Sequence, residues 1–157
     1  MPIRTKEQAA DRPGFALFFT SGPLVDWEGW PYAIGRIVIG LFDEPFEADM
    51  KTWAIQDYER QWREAAGRLA SGAPRTAFLT SDRGDRAAWH SWWPAWREQG
   101  ILRVQHHLLL RDQMTDPFDV RDPYRHIRER RTVSDDGKPV SEWEIDVNEV
   151  LAFASRG

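Results

Sequence analysis

Two hydrophobic periodicities divide the chain. Apolar residues at alternate positions or in short runs fill most of it, and one long stretch repeats every three to four residues. Phe15 to Ser21 (FALFFTS) is short, aromatic and apolar on both faces, and Gly22-Pro23 closes it, so it predicts a buried strand. In YAIGRIVIGLF, Ile34, Val38 and Phe42 share one parity with Arg36, while Ile37, Ile39 and Leu41 take the other, which predicts a second buried strand. Asp43-Glu44-Pro45 reads as a turn. After it Phe46, Ala48 and Met50 alternate with Glu47, Asp49 and Lys51, a hairpin with one wet face.

From Ile55 to about Ser71 the period changes. Ile55, Tyr58, Trp62, Ala65, Ala66 and Leu69 form one stripe of a helix, and Gly72 and Pro74 end it. RTAFLTS (75–81) predicts a strand and SDRGDR a turn. AAWHSWWPAW alternates ambiguously, and its Pro94 suggests an edge position or a strand end. ILRVQHHLLL predicts a single strand paired with that Trp-rich segment. Asp112 to Asp122 has no period and two Asp-Pro pairs, so it reads as loop; Tyr124 to Arg131 is a short strand or a helical turn; Ser134 to Pro139 is a turn. PVSEWEIDV alternates once more, and NEVLAFA closes as a helix with Asp146 as N-cap and Glu149 at the capping-box spacing. The sum is an α+β single domain over 15–157. It has a mostly antiparallel sheet of about six or seven strands, one long helix (about 55–71), a short C-terminal helix, and a disordered segment over 1–14.

Composition narrows the chemistry. The 157 residues hold no Cys, which removes disulfides, thiol nucleophiles and thiolate metal sites. No apolar run approaches the roughly 20 residues that span a bilayer, and the polar start MPIRTKEQAADRPG is unlike a signal peptide, so a cytoplasmic protein that binds no membrane is expected. A net charge of −4 disfavours nonspecific nucleic-acid binding and suits a basic partner. Nine Trp imply a dense aromatic core or a contact surface. Trp62 and Trp143 follow apolar stripes and read as core. Trp27, Trp30, Trp89, Trp92, Trp93 and Trp96 sit in segments without a clean burial pattern, so their exposure is open.

Motifs for catalysis or metal binding do not assemble. His106 and His107 are adjacent on a strand and face opposite ways, so they cannot chelate one ion; His106 reads as a hydrogen-bonded core residue. Asp112, Asp116, Asp119 and Asp122 match no calcium loop, and Asp116 and Asp122 precede proline as turn formers do. Arg83-Gly84-Asp85 is a turn. No phosphate-binding glycine pattern and no nucleophile elbow occurs. Arg121 to Arg131 is an Arg-rich strip, read as a solvated strand or as ion pairs to the acidic segments Asp43 to Asp49 and Asp135 to Glu149. A small hydrolase built on His107 or His90 with a nearby Asp stands as an alternative, and a regulatory protein-binding module as a third reading.

Several residues together resemble a known family. Tyr58, Gln61 and Trp62 with Arg68 and Leu69 in the helix, then Trp92 and Trp93, Pro123 and Tyr124, and Ser141, Glu142 and Trp143 are similar to the immunity proteins of contact-dependent growth inhibition systems. The resemblance runs from about Phe15 to Phe153. It implies a cytosolic, non-enzymatic protein without cofactor or metal, which binds and blocks a toxin domain, often a nuclease. For such a role the contact surface is expected to draw on acids of three segments (Asp43 and Glu44; Asp112, Asp116 and Asp119; Glu142 and Glu144), with Trp92 and Trp93 as aromatic anchors.

Overall fold

A computed structural model describes residues 14–82, 89–110, 112, 114, 118–119 and 121–156. The expectations for the N-terminal segment (Gly14 apart), for the Arg83-Gly84-Asp85 turn and for Asp116 concern residues outside this set. The described residues form the α+β architecture expected, with two helices and nine strands in two antiparallel sheets.

The first sheet is built from β1 (Phe15–Phe19), β2 (Leu24–Val25), β3 (Pro31–Ile39) and β4 (Phe42–Asp49). Strand β3 is central, with β1 and β2 along one side and β4 along the other. The β3–β4 turn is not at Asp43-Glu44-Pro45 as the sequence suggests. Ile39 pairs with Phe42, so the link is Gly40-Leu41, and Gly40 takes the positive φ of 63° that such a tight turn requires. Asp43, Glu44 and Pro45 therefore lie within β4, an edge strand, where a residue without N–H is tolerated.

Helix α1 (Ile55–Ala70) buries the stripe read from the sequence except for half-buried Ile55, and Gln61 besides. Asp57 Oδ2 accepts from Ala54 N at its start, and Gly72 at φ +93° turns the chain away at its end. The second sheet holds β5 (Arg75–Ser81), β6 (Trp89–Glu98), β7 (Ile101–Val104), β8 (His107–Leu110) and β9 (Trp143–Asp146), with a 3-10 turn at Pro123–His126. Strand β6 is central rather than an edge. It pairs with β5 from Ser91 to Trp96, and on its other side first with β8 and then with β7. The single strand expected over 101–110 is thus two strands, broken at Gln105-His106. Pro94 sits at this change of partner. Its carbonyl accepts from Gln105 N at 3.0 Å, so its donor-less nitrogen faces the same gap and no ladder bond is lost.

Strand β5 ends the second sheet, and its open side is closed by side chains of α1 instead of by another strand. Gln61 spans two backbone groups at once, donating to Ala77 O (2.8 Å) and accepting from Leu79 N (2.9 Å). Trp62 Nε1 donates to Leu79 O (2.7 Å), and Thr76 Oγ1 returns a bond to Ala65 O of the helix (2.7 Å). The Tyr58 hydroxyl donates to Asp49 O (2.6 Å) and accepts from Asp82 N (2.9 Å), which joins the end of β4 to the end of β5. Burial pushes the Tyr58 hydroxyl well above its ordinary pKa, so it stays a donor at every working pH. Around this row the core closes: Trp62 stacks on Phe19 (5.2 Å) and Phe15 meets Phe78 (5.1 Å), bridging the sheets.

Helix α2 (Val147–Ser155) packs on α1 and β1, with Phe153 edge-on to Phe15 at 5.3 Å. Asp146 caps it as expected, accepting from Asn148 N at 2.8 Å. Glu149 does not complete the capping box: its carboxylate turns to Gly14 N (3.2 Å), holding the entry of β1 instead.

Replacing Gln61 by Leu keeps the volume but strands Ala77 O and Leu79 N in a dry edge. Urea unfolding of Gln61→Leu should show a loss of about 2–4 kcal/mol. A loss under about 0.5 kcal/mol would mean that the edge is held some other way.

Candidate interaction surface

The alternation of the first sheet fixes what it offers to solvent. Phe15, Leu17, Ala33, Ile37, Ile39 and Ala48 turn inward and are buried. On the outer face Phe18, Leu24, Tyr32, Ile34, Arg36 and Val38 stand beside Asp43, Pro45, Glu47 and Asp49 of β4. Among the described residues no helix or second sheet covers this face. It carries an apolar centre, with Phe18 41% exposed, and an acidic border along β4.

At one end of that face the β2–β3 turn, Asp26-Trp27-Glu28-Gly29-Trp30, is tightly built. Asp26 Oδ1 accepts from both Glu28 N and Trp30 N (2.8 Å each), Asp26 N donates to Trp30 O (3.0 Å), and Gly29 supplies a φ of +85°. The turn holds Trp27 out, 91% exposed, next to Val25 at 67%. Below it opens a cleft of about 480 Å³ walled by Trp30, Tyr32 and Trp89 and by Asp26, Glu28, Glu47 and Asp49. Trp30 is fixed by its Nε1 bond to Asp49 Oδ2 (2.5 Å), and Lys51 Nζ lies 4.4 Å from its ring centroid. The sequence reading left the exposure of Trp27 and Trp30 open and missed the turn as a site. Its signal is an Asp three residues before a Gly, with Trp27 between them and Trp30 after, neither following a burial period.

The residues expected to form the contact surface do not come together as one patch. Asp43 is exposed on the outer face, paired with Arg36 (2.8 Å). Glu44 is exposed on the other side of β4, where its charge acts on His106. Trp92 and Trp93 are 1% and 2% exposed and cannot serve as surface anchors. They are neighbours on central β6, so they point to opposite faces, and both faces are covered: Trp92 meets Phe118 edge-on (6.3 Å), while Trp93 packs against Trp143 (5.6 Å), Phe42 (6.0 Å) and His106 (4.4 Å). Asp112 is exposed. Asp119 is half-buried and spends Oδ1 on Arg121 N, as a turn former does.

Glu142 and Glu144 are cross-linked on the outer side of the second sheet. Arg103 joins Glu98 (3.1 Å) and Glu144, and Arg130 grips both carboxylate oxygens of Glu142 (2.7 and 2.6 Å), which also accepts from Gln105 Nε2 (2.7 Å). The Arg130 hydrogen bonds hold the Glu142 carboxyl below the usual carboxylate range. The Arg-rich strip is in this part an ion-pair partner of the acids: Arg131 likewise meets Asp135 (2.7 Å). Trp96 Nε1 adds a bond to Arg128 O (3.0 Å), fastening the strip to β6.

The histidines are placed differently from the expectation. His106 is exposed rather than in the core, laid over Trp93 with Nε2 2.8 Å from Ser91 Oγ. His90 is the buried one, with Nδ1 3.4 Å from Asp82 Oδ1 and side chains 5% and 3% exposed, a sequestered structural pair. His107 Nε2 meets Gln105 Oε1 (2.8 Å). Desolvation lowers the pKa of both His106 and His107, so both favour the neutral ring. Among the described residues no three of His, Asp and Glu converge as metal ligands.

Because the carboxyl of Glu142 is depressed in the fold, its contribution is present above the ordinary Glu range and fades as pH falls through the folded value. Glu142→Gln should therefore cost about 1–2 kcal/mol at pH 7 and progressively less below about pH 4. Paired urea melts across pH check this, and a pH-independent difference would show that the charge is not the cause.

Three comparisons bear on this architecture. The sequence profile of the CdiI N-terminal domain matches residues 48–153, from the end of β4 through α1 and the second sheet into α2. Immunity protein CdiI of Enterobacter cloacae subsp. cloacae is 26% identical over 136 residues, covering 86% of this chain and 93% of that protein. Among solved structures, a chain of the CdiA-CT/CdiI toxin and immunity complex from Enterobacter cloacae superposes with a TM-score of 0.81 at 25% identity, over 90% of this chain and 97% of that one. The profile spans the β5 edge that Tyr58, Gln61 and Trp62 close, along with the rest of the second sheet, and on that match the chain belongs to the CdiI N-terminal domain family.

Proposed function

We propose that this chain is an immunity protein of a contact-dependent growth inhibition system, which binds the toxin domain of a cognate effector in the cytoplasm and covers its active site. The observation that carries the reading is the likeness, over nearly the whole of both chains, to a chain of a solved toxin and immunity complex, together with membership of the family. A nuclease-type toxin fits the electrostatics. An enzyme that grips phosphates is basic around its active site, and this chain carries a net charge of −4 with exposed acids at Asp43, Glu44, Glu47 and Glu144.

Protection sets a demanding affinity. A toxin inside the cell must be held at nanomolar or tighter dissociation constants, about −12 kcal/mol, which an interface of about 1,600 Å² supplies when a few aromatic anchors are desolvated. Exposed acids contribute mainly to the rate of encounter. In that role Asp43, Glu44, Asp112 and Glu144 steer the toxin. Glu142 and Asp119 are already spent inside the protein, and Trp92 and Trp93 shape the scaffold.

The neighbouring reading frame supplies the test. Cells producing the toxin domain encoded beside this chain should survive when the chain is co-produced, the two should copurify, and the toxin's activity in vitro should stop at one equivalent. Death of the co-producing cells would overturn the reading. Charge reversal at Asp43 and Glu44 should slow association at low salt by roughly threefold to tenfold and leave dissociation nearly unchanged, as stopped-flow measurement would show.

A further inference from the structure

We propose that the toxin docks on the outer face of the β1–β4 sheet, with Trp27 inserted into the toxin and a lysine or arginine of the toxin entering the cleft between Glu28 and Glu47. This location rests on the immunity reading and adds to it the contact surface and the chemistry of the contacting group.

Three observations converge on the face. The first is Trp27 itself. A Trp on a frayed loop would need no explanation, but this one stands 91% exposed on a turn closed by Asp26, whose carboxylate and backbone carbonyl and amide all take part. A large apolar ring exposed to water costs hydration without any return within the monomer. The turn that carries it is already ordered, so its backbone loses little entropy on binding, as suits an interface anchor.

The second is the cleft. Asp26 and Asp49 spend oxygens on Glu28 N, Trp30 N, Trp30 Nε1 and Lys51 N, whereas Glu28 and Glu47 make no ion pair among the described residues. Lys51 Nζ over the Trp30 ring shows, inside the molecule, the kind of group this wall receives: a cation against an aromatic face with carboxylates beside it. Among the described residues Glu28 and Glu47 on this wall are the carboxylates left to receive a cation, so the complementary partner is cationic.

The third is continuity. The apolar centre of the face runs from Phe18 through Ile34 to Leu24 and ends beside the turn that carries Trp27, and the acids of β4 border it along its length. An apolar centre with a polar rim is the ordinary anatomy of a protein interface.

Binding of the purified full chain to its neighbouring toxin domain, followed by surface plasmon resonance with sedimentation of the free chain, tests this. Trp27→Ala should weaken binding about tenfold or more through faster dissociation. The double variant Glu28→Lys/Glu47→Lys should weaken it at least as much and flatten the salt dependence. Neither should move the thermal melt, because Trp27, Glu28 and Glu47 are exposed. If both variants bind as tightly as the parent protein while the parent binds at nanomolar affinity, the location is wrong and the immunity reading stands. If the parent does not bind the toxin at all, both fall. A free chain that is a dimer broken by Trp27→Ala would assign the face to a second copy and overturn the proposal.

Discussion

The open side of β5 is the constraint around which the rest is arranged. An edge strand exposes a row of unpaired amides and carbonyls, and leaving such groups dry costs more than a hydrogen bond is worth. Here the row is met by Gln61 and Trp62, with Tyr58 at its far end, all from one face of α1. The same contacts fix the helix at one height and one rotation on the sheet. They also bind Asp49 and Asp82 to one hydroxyl, which sets the two sheets relative to each other. The Trp-rich strand can then be buried on both faces, and the 3-10 turn docks on the helix, with Tyr124 under the Arg68 guanidinium at 3.9 Å.

The stripe of α1 was legible because a half-buried helix writes its own period, and the family resemblance already singled out Tyr58, Gln61 and Trp62. What Gln61 does was not legible: an amide on an apolar stripe makes sense only once Ala77 and Leu79 lie opposite it. The β3–β4 turn was misplaced for a local reason. Asp-Glu-Pro is a stronger turn signal than Gly-Leu, but register with β3 decides, and Gly40 alone could take the backbone conformation. Strand β6 defeated pattern reading because a strand covered on both sides has no alternation to show.

Trp92, Trp93 and Trp27 make the same point about the surface. All three sit among aromatics and polar residues without a period, so their exposure was open in the sequence, and Trp92 and Trp93 rather than Trp27 were expected as anchors. The sheets separate them: β6 is covered on both faces, while the β2–β3 turn projects beyond the last strand. The acids divide in the same way. Glu142 looks like a free negative charge until Arg130, distant from it by a loop, is seen to hold it. A scaffold tied together by α1 and β5 thus carries a face whose backbone is already in place before any partner arrives.

That claim of a preformed face is tested most directly by amide hydrogen exchange of the chain alone and bound to its toxin domain. The account predicts that α1 and β5, with the Leu79 amide among them, exchange equally slowly in both states, and that new protection is confined to the β2–β3 turn and the outer face of β3 and β4. Protection gained instead across α1 and β5 would mean that the scaffold forms on binding, and would contradict it.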